Sequence, residues 1–263
     1  ATSTDGLTWT EMTAPSGSNR IFDIARNGNT LVVAALARVY YSTDSGASWT
    51  STTRTLSSSR PSILWVEELG KFFVTGFNVY SSPDGAIWTP ATSGGHGTFG
   101  YTGMAWSGSE LVIAISGSSG GITVKSSTDG VTWATLAAGG NPGVTKVMWD
   151  GAQFVYYGDG SSTTYRTYTY DQASNTMVQN ASSISGYRLL QSGYSYNMVI
   201  VDGLYVIPGS QVDTAKNYFY TSTDLVTFSI PEYPGPWSAV NDSAPTTWPV
   251  SYTHLTLPTI LLV

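Results

Sequence analysis

Ser42-Thr43-Asp44-Ser45-Gly46-Ala47-Ser48-Trp49 is the stretch that decides the fold, because it recurs along the chain. Ser3-Thr4-Asp5-Gly6-Leu7-Thr8-Trp9 precedes it. Ser82-Pro83-Asp84-Gly85-Ala86-Ile87-Trp88 and Ser127-Thr128-Asp129-Gly130-Val131-Thr132-Trp133 follow. Ser222-Thr223-Asp224-Leu225-Val226-Thr227-Phe228 is a weaker copy, and Asp171 to Met177 a decayed one. Each part has a local reason. An Asp carboxylate in a tight turn accepts hydrogen bonds from nearby backbone N–H groups. A Ser ahead of it adds a second local acceptor. Gly supplies a positive φ, and the Trp is expected on the following strand with its ring buried between sheets.

Between one Asp turn and the next, four short antiparallel strands are predicted. In the first unit these are Ile21 to Ala25, Leu31 to Leu36, Val39 to Tyr41 and Ala47 to Ser51. Asn27-Gly28 is the hairpin turn between the first two, since a type I′ turn needs positive φ at both central residues. The same order repeats with turns at Leu69-Gly70, Ser107-Gly108, Asp150-Gly151 and Asp202-Gly203. Four strands in a repeat of about 40 residues read as a blade of an all-β propeller. Five blades are complete by this reading, and a sixth begins near Trp237. Leu7 to Thr10, an outer strand without its partners, is expected to complete that sixth blade and close the ring.

Composition bounds the function classes. Of 263 residues, 11% are charged and 13% aromatic, and the formal net charge is -6. No Lys/Arg run exists along the chain, so nucleic acid is not an expected partner. Cysteine is absent, which removes disulfides and thiolate chemistry. No run of about 18 apolar residues is present, so no membrane insertion is expected. Ala1-Thr2-Ser3 lacks the features of a signal peptide. Val250 to Thr259 reads like a translated sequencing adapter of an environmental sequence, so residues 1–249 are expected to be a single propeller domain and 250–263 a non-native scar. The alternative is a genuine apolar strand at Ile260 to Val263.

The repeated motif resembles the Asp box, Ser-x-Asp-x-Gly-x-x-Trp, also called the BNR repeat. The resemblance spans residues 3 to about 230 and implies a sialidase-type β-propeller of the kind found in phage and bacterial surface proteins. In that family the box is structural and lies away from the ligand face. The resemblance therefore assigns structural roles to Asp5, Asp44, Asp84, Asp129, Asp171 and Asp224, and to Trp9, Trp49, Trp88 and Trp133. It gives a fold without a function.

Ligands of such propellers meet the face built by the loops leading into each innermost strand and by the second-to-third strand loops. Arg20 and Arg60 share one repeat register just before the innermost strand, and Arg188 lies in the long loop before the fifth blade's strands. Guanidinium groups grip carboxylates bidentately, as the arginine triad of sialidases does. The sialidase sequence Phe/Tyr-Arg-Ile-Pro is missing; Asn19-Arg20-Ile21-Phe22 is the nearest approach. Strand-end capping in solvent is the favoured reading of these arginines. Tyr187, Tyr194 and Trp237 are candidate stacking residues on the same face. Asp23 is the one carboxylate expected on an innermost strand. With His96 and His254 the only histidines, no metal site and no cofactor are expected.

Three functions follow from these residues. The first is a non-catalytic recognition module, extracellular or virion-associated, that binds a glycan or a protein through the loop face. The second is a sialidase-like glycoside hydrolase, which needs a Tyr–Glu pair and an acid/base Asp that the spacing does not show. The third is a scaffold or assembly factor. The oligomeric state is not readable.

Overall fold

A computed structural model describes residues 2–5, 7–17, 20–56, 61–76, 78–92, 102–116, 122–138, 144–161, 164–171, 176–180, 184–185, 187–188, 198–211 and 217–229. The described chain is all-β, with four four-stranded antiparallel sheets and one that carries a fifth short strand, as in a β-propeller. The first sheet holds β1 (Ile21–Asn27), β2 (Thr30–Ala35), β3 (Arg38–Ser42) and β4 (Thr50–Thr55) in that order. The second holds β5 (Ile63–Val66), β6 (Lys71–Thr75), β7 (Val79–Ser82) and β8 (Thr89–Pro90). The third holds β9 (Thr102–Trp106), β10 (Leu111–Ser116), β11 (Ile122–Ser127) and β12 (Ala134–Ala138). The fourth holds β13 (Val144–Trp149), β14 (Phe154–Ser161), β15 (Thr164–Asp171) and β16 (Thr176–Gln179), with β17 (Ile184–Ser185) beside β15. The fifth is built from β18 (Tyr187–Arg188), β19 (Val199–Val201), β20 (Leu204–Gln211) and β21 (Asn217–Ser222). The expected sixth blade, Trp237 and the 250–263 segment lie outside the described residues.

The second strand of each sheet is its most apolar, because it is covered on both faces. Val32, Ala34, Phe72, Phe73, Val112 and Ala114 are all fully buried. Four apolar clusters each join two neighbouring sheets, from the first-and-second pair to the fourth-and-fifth. Blade stacking, not any single sheet, therefore forms the core.

In the first three sheets the Asp turn joins the third strand to the fourth. At Ser82-Pro83-Asp84, the Ser82 hydroxyl donates to Asp84 Oδ1 at 2.9 Å and accepts from Gly85 N at 2.8 Å. Asp84 Oδ1 also accepts from Ala86 N at 2.9 Å and Ile87 N at 3.2 Å. Asp5, Asp129 and Asp224 repeat the two carboxylate-to-backbone bonds. The turn at Asp44 carries one extra residue, and its carboxylate takes Ser48 N at 2.9 Å.

These bonds shift the fourth strands relative to expectation. The N–H groups two and three residues after the Asp point at the carboxylate and cannot join a ladder. The fourth strands therefore begin after the tryptophan, at Thr50, Thr89 and Ala134. Trp49, Trp88 and Trp133 end the turn instead of lying on the strand. In the fifth sheet the expected strand reduces to a bridge between Thr221 and Ser229.

Burial of the tryptophans follows their neighbours. Trp88 and Trp133 are 8% and 7% exposed, but Trp9 is 57% exposed. The turn at Asp5 closes on an isolated bridge, Thr2 to Thr10, outside the five sheets. Beyond it the segment from Thr10 to Gly17 covers the first sheet: Trp49 Nε1 donates to Thr13 O at 2.7 Å, and Met12 Cε reaches Gly46.

The glycines of the turns at Asp84 and Asp129 dock on the sheet before them. A Cβ on Gly85 would lie 2.5 Å from Val32 Cγ2, and one on Gly130 would overlap the Phe73 ring. Both glycines also hold positive φ, at 78° and 69°. Space and conformation thus both require glycine there.

Candidate functional site

Each sheet has two ends. One carries the first hairpin and the Asp turn; the other carries the loops into the first strand and between the second and third strands. Neighbouring sheets align like end to like end. Trp106 Nε1 donates to Glu68 Oε2 at 3.0 Å across the turn ends of the second and third sheets. Asp23 reaches Ser62 across the loop ends of the first and second. The loop ends therefore form one face, as the sequence implied.

A single register position on the innermost strands sets the geometry at that face. Asp23, Gly103 and Lys146 pair with Ala34, Ala114 and Tyr157 at equivalent points of the second strands, and Ser62 lies opposite Thr75. β-bulges at Ile21/Asp23 and at Val144/Lys146 mark it in the first and fourth sheets. The occupants join neighbouring sheets. Asp23 Oδ2 accepts from the Ser62 hydroxyl at 2.9 Å and from Ile63 N at 3.0 Å. A Cβ on Gly103 would come within 2.5 Å of Lys146 Cα and Val147 N, so the backbones of the third and fourth sheets touch there. Tyr157, one strand further out, accepts from Met198 N of the fifth sheet at 3.1 Å. Asp23, the carboxylate expected on the innermost strand, is thus engaged as a staple between sheets.

At the loop end of the fourth sheet the hairpin lengthens: β14 and β15 have eight residues each, while β21, at six, matches β11. Pairing continues to Ser161↔Thr164 in one hairpin and to Ser210↔Asn217 in the other. β17 lies along β15, with Thr164 opposite Ser185. β18 lies along β20, with Tyr187 opposite Gln211 and Arg188 opposite Ser210. One short segment thereby borders the hairpins of both sheets, which share a raised wall.

The predicted site residues distribute as follows. Tyr187 and Arg188 belong to that wall as strand residues, where a long loop was expected. Arg20 is exposed at the entry of β1, and its carbonyl accepts from Leu36 N at 2.8 Å. Arg60, Tyr194 and Trp237 lie outside the described residues. Arg20 and Arg188 stand on the first and fifth sheets. Three basic residues at the loop end escaped the sequence reading. Arg38 is exposed at the start of β3, Arg166 lies on β15 in the wall, and Arg54 stacks over Tyr80 with Cζ 4.4 Å from the ring centroid. Repeat register marks only the residues just before a first strand, so it could not flag these.

The opposite face is rich in engaged carboxylates. Glu67 Oε2 accepts from Trp65 Nε1 at 2.6 Å. Asp150 Oδ2 accepts from the Tyr205 hydroxyl at 2.8 Å, while Oδ1 takes Ala152 N and Gln153 N. Burial and the Asp150 carboxylate push the Tyr205 phenol up to about 12. Backbone N–H groups of Thr8 and Leu7 hold Asp5 down at about 2, and those of Thr227 and Val226 do the same for Asp224. Among the described residues, no three His, Cys, Asp or Glu side chains group as a metal site would require. No helix among them is long and apolar enough to cross a membrane.

No family profile matches the chain, and no curated protein matches it. Solved structures do. A chain of a nidogen/laminin complex aligns with TM-score 0.55 at 14% identity, over 78% of this chain and 76% of that one. The extracellular domain of a putative one-component system from B. thetaiotaomicron aligns with TM-score 0.55 at 14% identity, over 87% of this chain and 29% of that one. A puromycin hydrolase mutant complexed with PGG gives TM-score 0.54 at 14% identity, over 86% and 42%. At such identities the likeness is one of fold.

Proposed function

We propose that this chain is a recognition module built on Asp-box blades, which binds a glycan or a protein through its loop face without turning it over. The observation that carries this reading is the use of Asp23. Acid/base work needs a carboxylate within reach of a reacting atom. Here the innermost-strand carboxylate is held by Ser62 and Ile63, and the turn-face acids accept bonds from tryptophan, tyrosine and backbone donors. The raised wall over the fourth and fifth sheets, rich in Tyr, Ser, Thr and Gly, suits adaptable recognition. An extracellular or virion-associated setting accords with this chemistry, and an extracellular domain is among the proteins of similar fold. A single propeller domain over residues 1–249 belongs to the same proposal.

The test is a glycan array with the whole chain beside an Arg20→Ala/Arg60→Ala/Arg188→Ala variant, followed by a hydrolysis assay on every glycan that binds. Selective binding without product release supports the module. Release of sugar from a bound sialoside would replace it with the sialidase-like hydrolase. A folded chain that binds no glycan but captures a protein partner would favour the scaffold.

A further inference from the structure

At the turn end, aromatic donors from the inner strands meet the hairpin acids. Between the second and third sheets, Trp106 Nε1 donates to Glu68 Oε2 at 3.0 Å. Between the fourth and fifth, the Tyr205 hydroxyl donates to Asp150 Oδ2 at 2.8 Å. In the second sheet, Trp65 Nε1 closes on Glu67 of its own hairpin at 2.6 Å. Each of these acids is matched by one ring donor.

The junction between the third and fourth sheets has the same parts and leaves them open. Its acid is Glu110, at the end of the hairpin from β9 to β10, and its indole is Trp149, the last residue of β13. Both are half-buried. Trp149 stands opposite Phe154, with ring centroids 4.9 Å apart and planes at 60°. Phe154 packs into the apolar cluster between these two sheets, so the paired rings face the third sheet. Among the described residues, no acceptor takes the Trp149 N–H and no donor reaches the Glu110 carboxylate. Tyr156 belongs to the same cluster; it is fully buried and its hydroxyl has no hydrogen-bond partner. Burial, and after it the Glu110 charge, push the Tyr156 phenol up, which puts the hydroxyl on the acid's side of the cluster.

One open acceptor, two open donors and two aromatic rings define what fits. A cation could meet the carboxylate and the ring faces, but it would leave the N–H and O–H groups unmet. An anion would be repelled by Glu110, and the hairpins at this junction, Ser107 to Glu110 and Asp150 to Gln153, carry no Lys or Arg. A hydroxyl group donates and accepts at once, and the C–H face of a sugar packs on aromatic rings. We propose that the turn end carries a second recognition site, between the third and fourth sheets, for an uncharged sugar residue. Its hydroxyls bridge Glu110 to Trp149 Nε1 and Tyr156 Oη, and its ring lies on Trp149 and Phe154. The site is at the opposite end of the blades from the loop face and does not depend on what that face binds.

The experiment measures binding of the full chain to immobilised dextran, mannan, galactan and xylan, with polygalacturonate and tetramethylammonium chloride as competitors. At least one neutral polymer is expected to bind. Glu110→Gln removes a charged hydrogen bond and should weaken that binding about tenfold. Trp149→Phe keeps a ring and removes the N–H, and should weaken it several-fold. Tyr156→Phe should also weaken it several-fold, with a melting temperature at or above the parent's, a split that a merely structural hydroxyl would not give. Glu67→Gln makes the same charge change at an acid already matched by Trp65 and should leave binding within about twofold. Arg38→Ala, at the loop end, should do the same. Melting curves verify that each variant folds, and Glu110→Gln decides the matter if a ring variant does not. The proposal is overturned if none of the four polymers binds, or if Glu110→Gln binds them no more weakly than Glu67→Gln or Arg38→Ala does. Displacement of the polymer by tetramethylammonium would overturn it too, since the site would then be a cage for organic cations, as would tighter binding of polygalacturonate than of any neutral polymer.

Discussion

Leu225 occupies the position that Gly85 and Gly130 hold in other turns, and it keeps their backbone conformation, with φ of 61°. A left-handed conformation costs an L-residue roughly 1–2 kcal/mol. The side chain offsets that cost. Leu225 is 2% exposed and packs with Val155, Ile207 and Tyr220 between the fourth and fifth sheets. Its amide donates to the Ser222 hydroxyl at 2.9 Å, and its carbonyl accepts from Thr167 at 3.2 Å, so backbone bonds hold the conformation in place.

Two substitutions separate these effects. Leu225→Ala removes the packing and retains the strain, and should cost about 3–4 kcal/mol, within the range for buried leucines. Leu225→Gly removes both and should cost about 1 kcal/mol less than the alanine variant. Urea unfolding of the two variants and the parent gives the order directly: parent most stable, glycine next, alanine least. In a domain of this size the parent-to-glycine step corresponds to a melting-point drop on the order of 4–10 °C. A glycine variant as stable as the parent would show that the leucine contributes nothing across the blade interface. An alanine variant at or above the glycine one would show that the φ carries no strain. Either result refutes the reasoning.

The remaining expectations concern the staples, the core and pH. Asp23→Ala removes charged hydrogen bonds to Ser62 and Ile63 and should lower unfolding stability by about 2–3 kcal/mol, read by urea titration. Gly103→Ala places a methyl group against the Lys146 backbone and should cost roughly 1–3 kcal/mol by the same measurement. The Tyr168 hydroxyl is buried without a hydrogen-bond partner, so Tyr168→Phe should match or exceed the parent's stability, by up to about 1 kcal/mol. Asp5, Asp44 and Asp224 are held down at about 2. Their contribution is present above the ordinary carboxylate value and is lost as pH falls from about 4 towards 2. Melting temperature should therefore fall across that window, and a flat profile would contradict the turn bonds. Tyr205 shows the opposite sign: with its phenol pushed up to about 12, its contribution is lost only as pH rises from about 10 to 12. Tyr205→Phe should flatten that alkaline limb.

The blades were legible because an Asp turn satisfies itself. Ser, Asp and Gly within a few residues account for its bonds and its φ, so the repeat declares itself without knowledge of distant neighbours. The errors arose where a local group has two possible uses. The amides after each Asp could enter a strand or bond the carboxylate, and the carboxylate takes them, which delays the fourth strand past Trp88 and Trp133. Trp9 shares the motif but not the burial, because burial depends on a neighbouring sheet that the motif does not encode. The staple at Asp23 was half legible: its place on the innermost strand was readable, but Ser62, its partner, lies 39 residues away.

The loop face was less legible for a reason built into the fold. Closing each Asp turn needs a carboxylate, and every such turn lies at the same end of its blade. Hairpin acids such as Glu68 and Asp150 gather there too, where indole, phenol and amide donors receive them. A chain with only 11% charged residues thereby commits most of its acids to one end for structural reasons. Which end of a blade an acid occupies is set by the turn that holds it, so the total charge of -6 does not report how that charge is distributed.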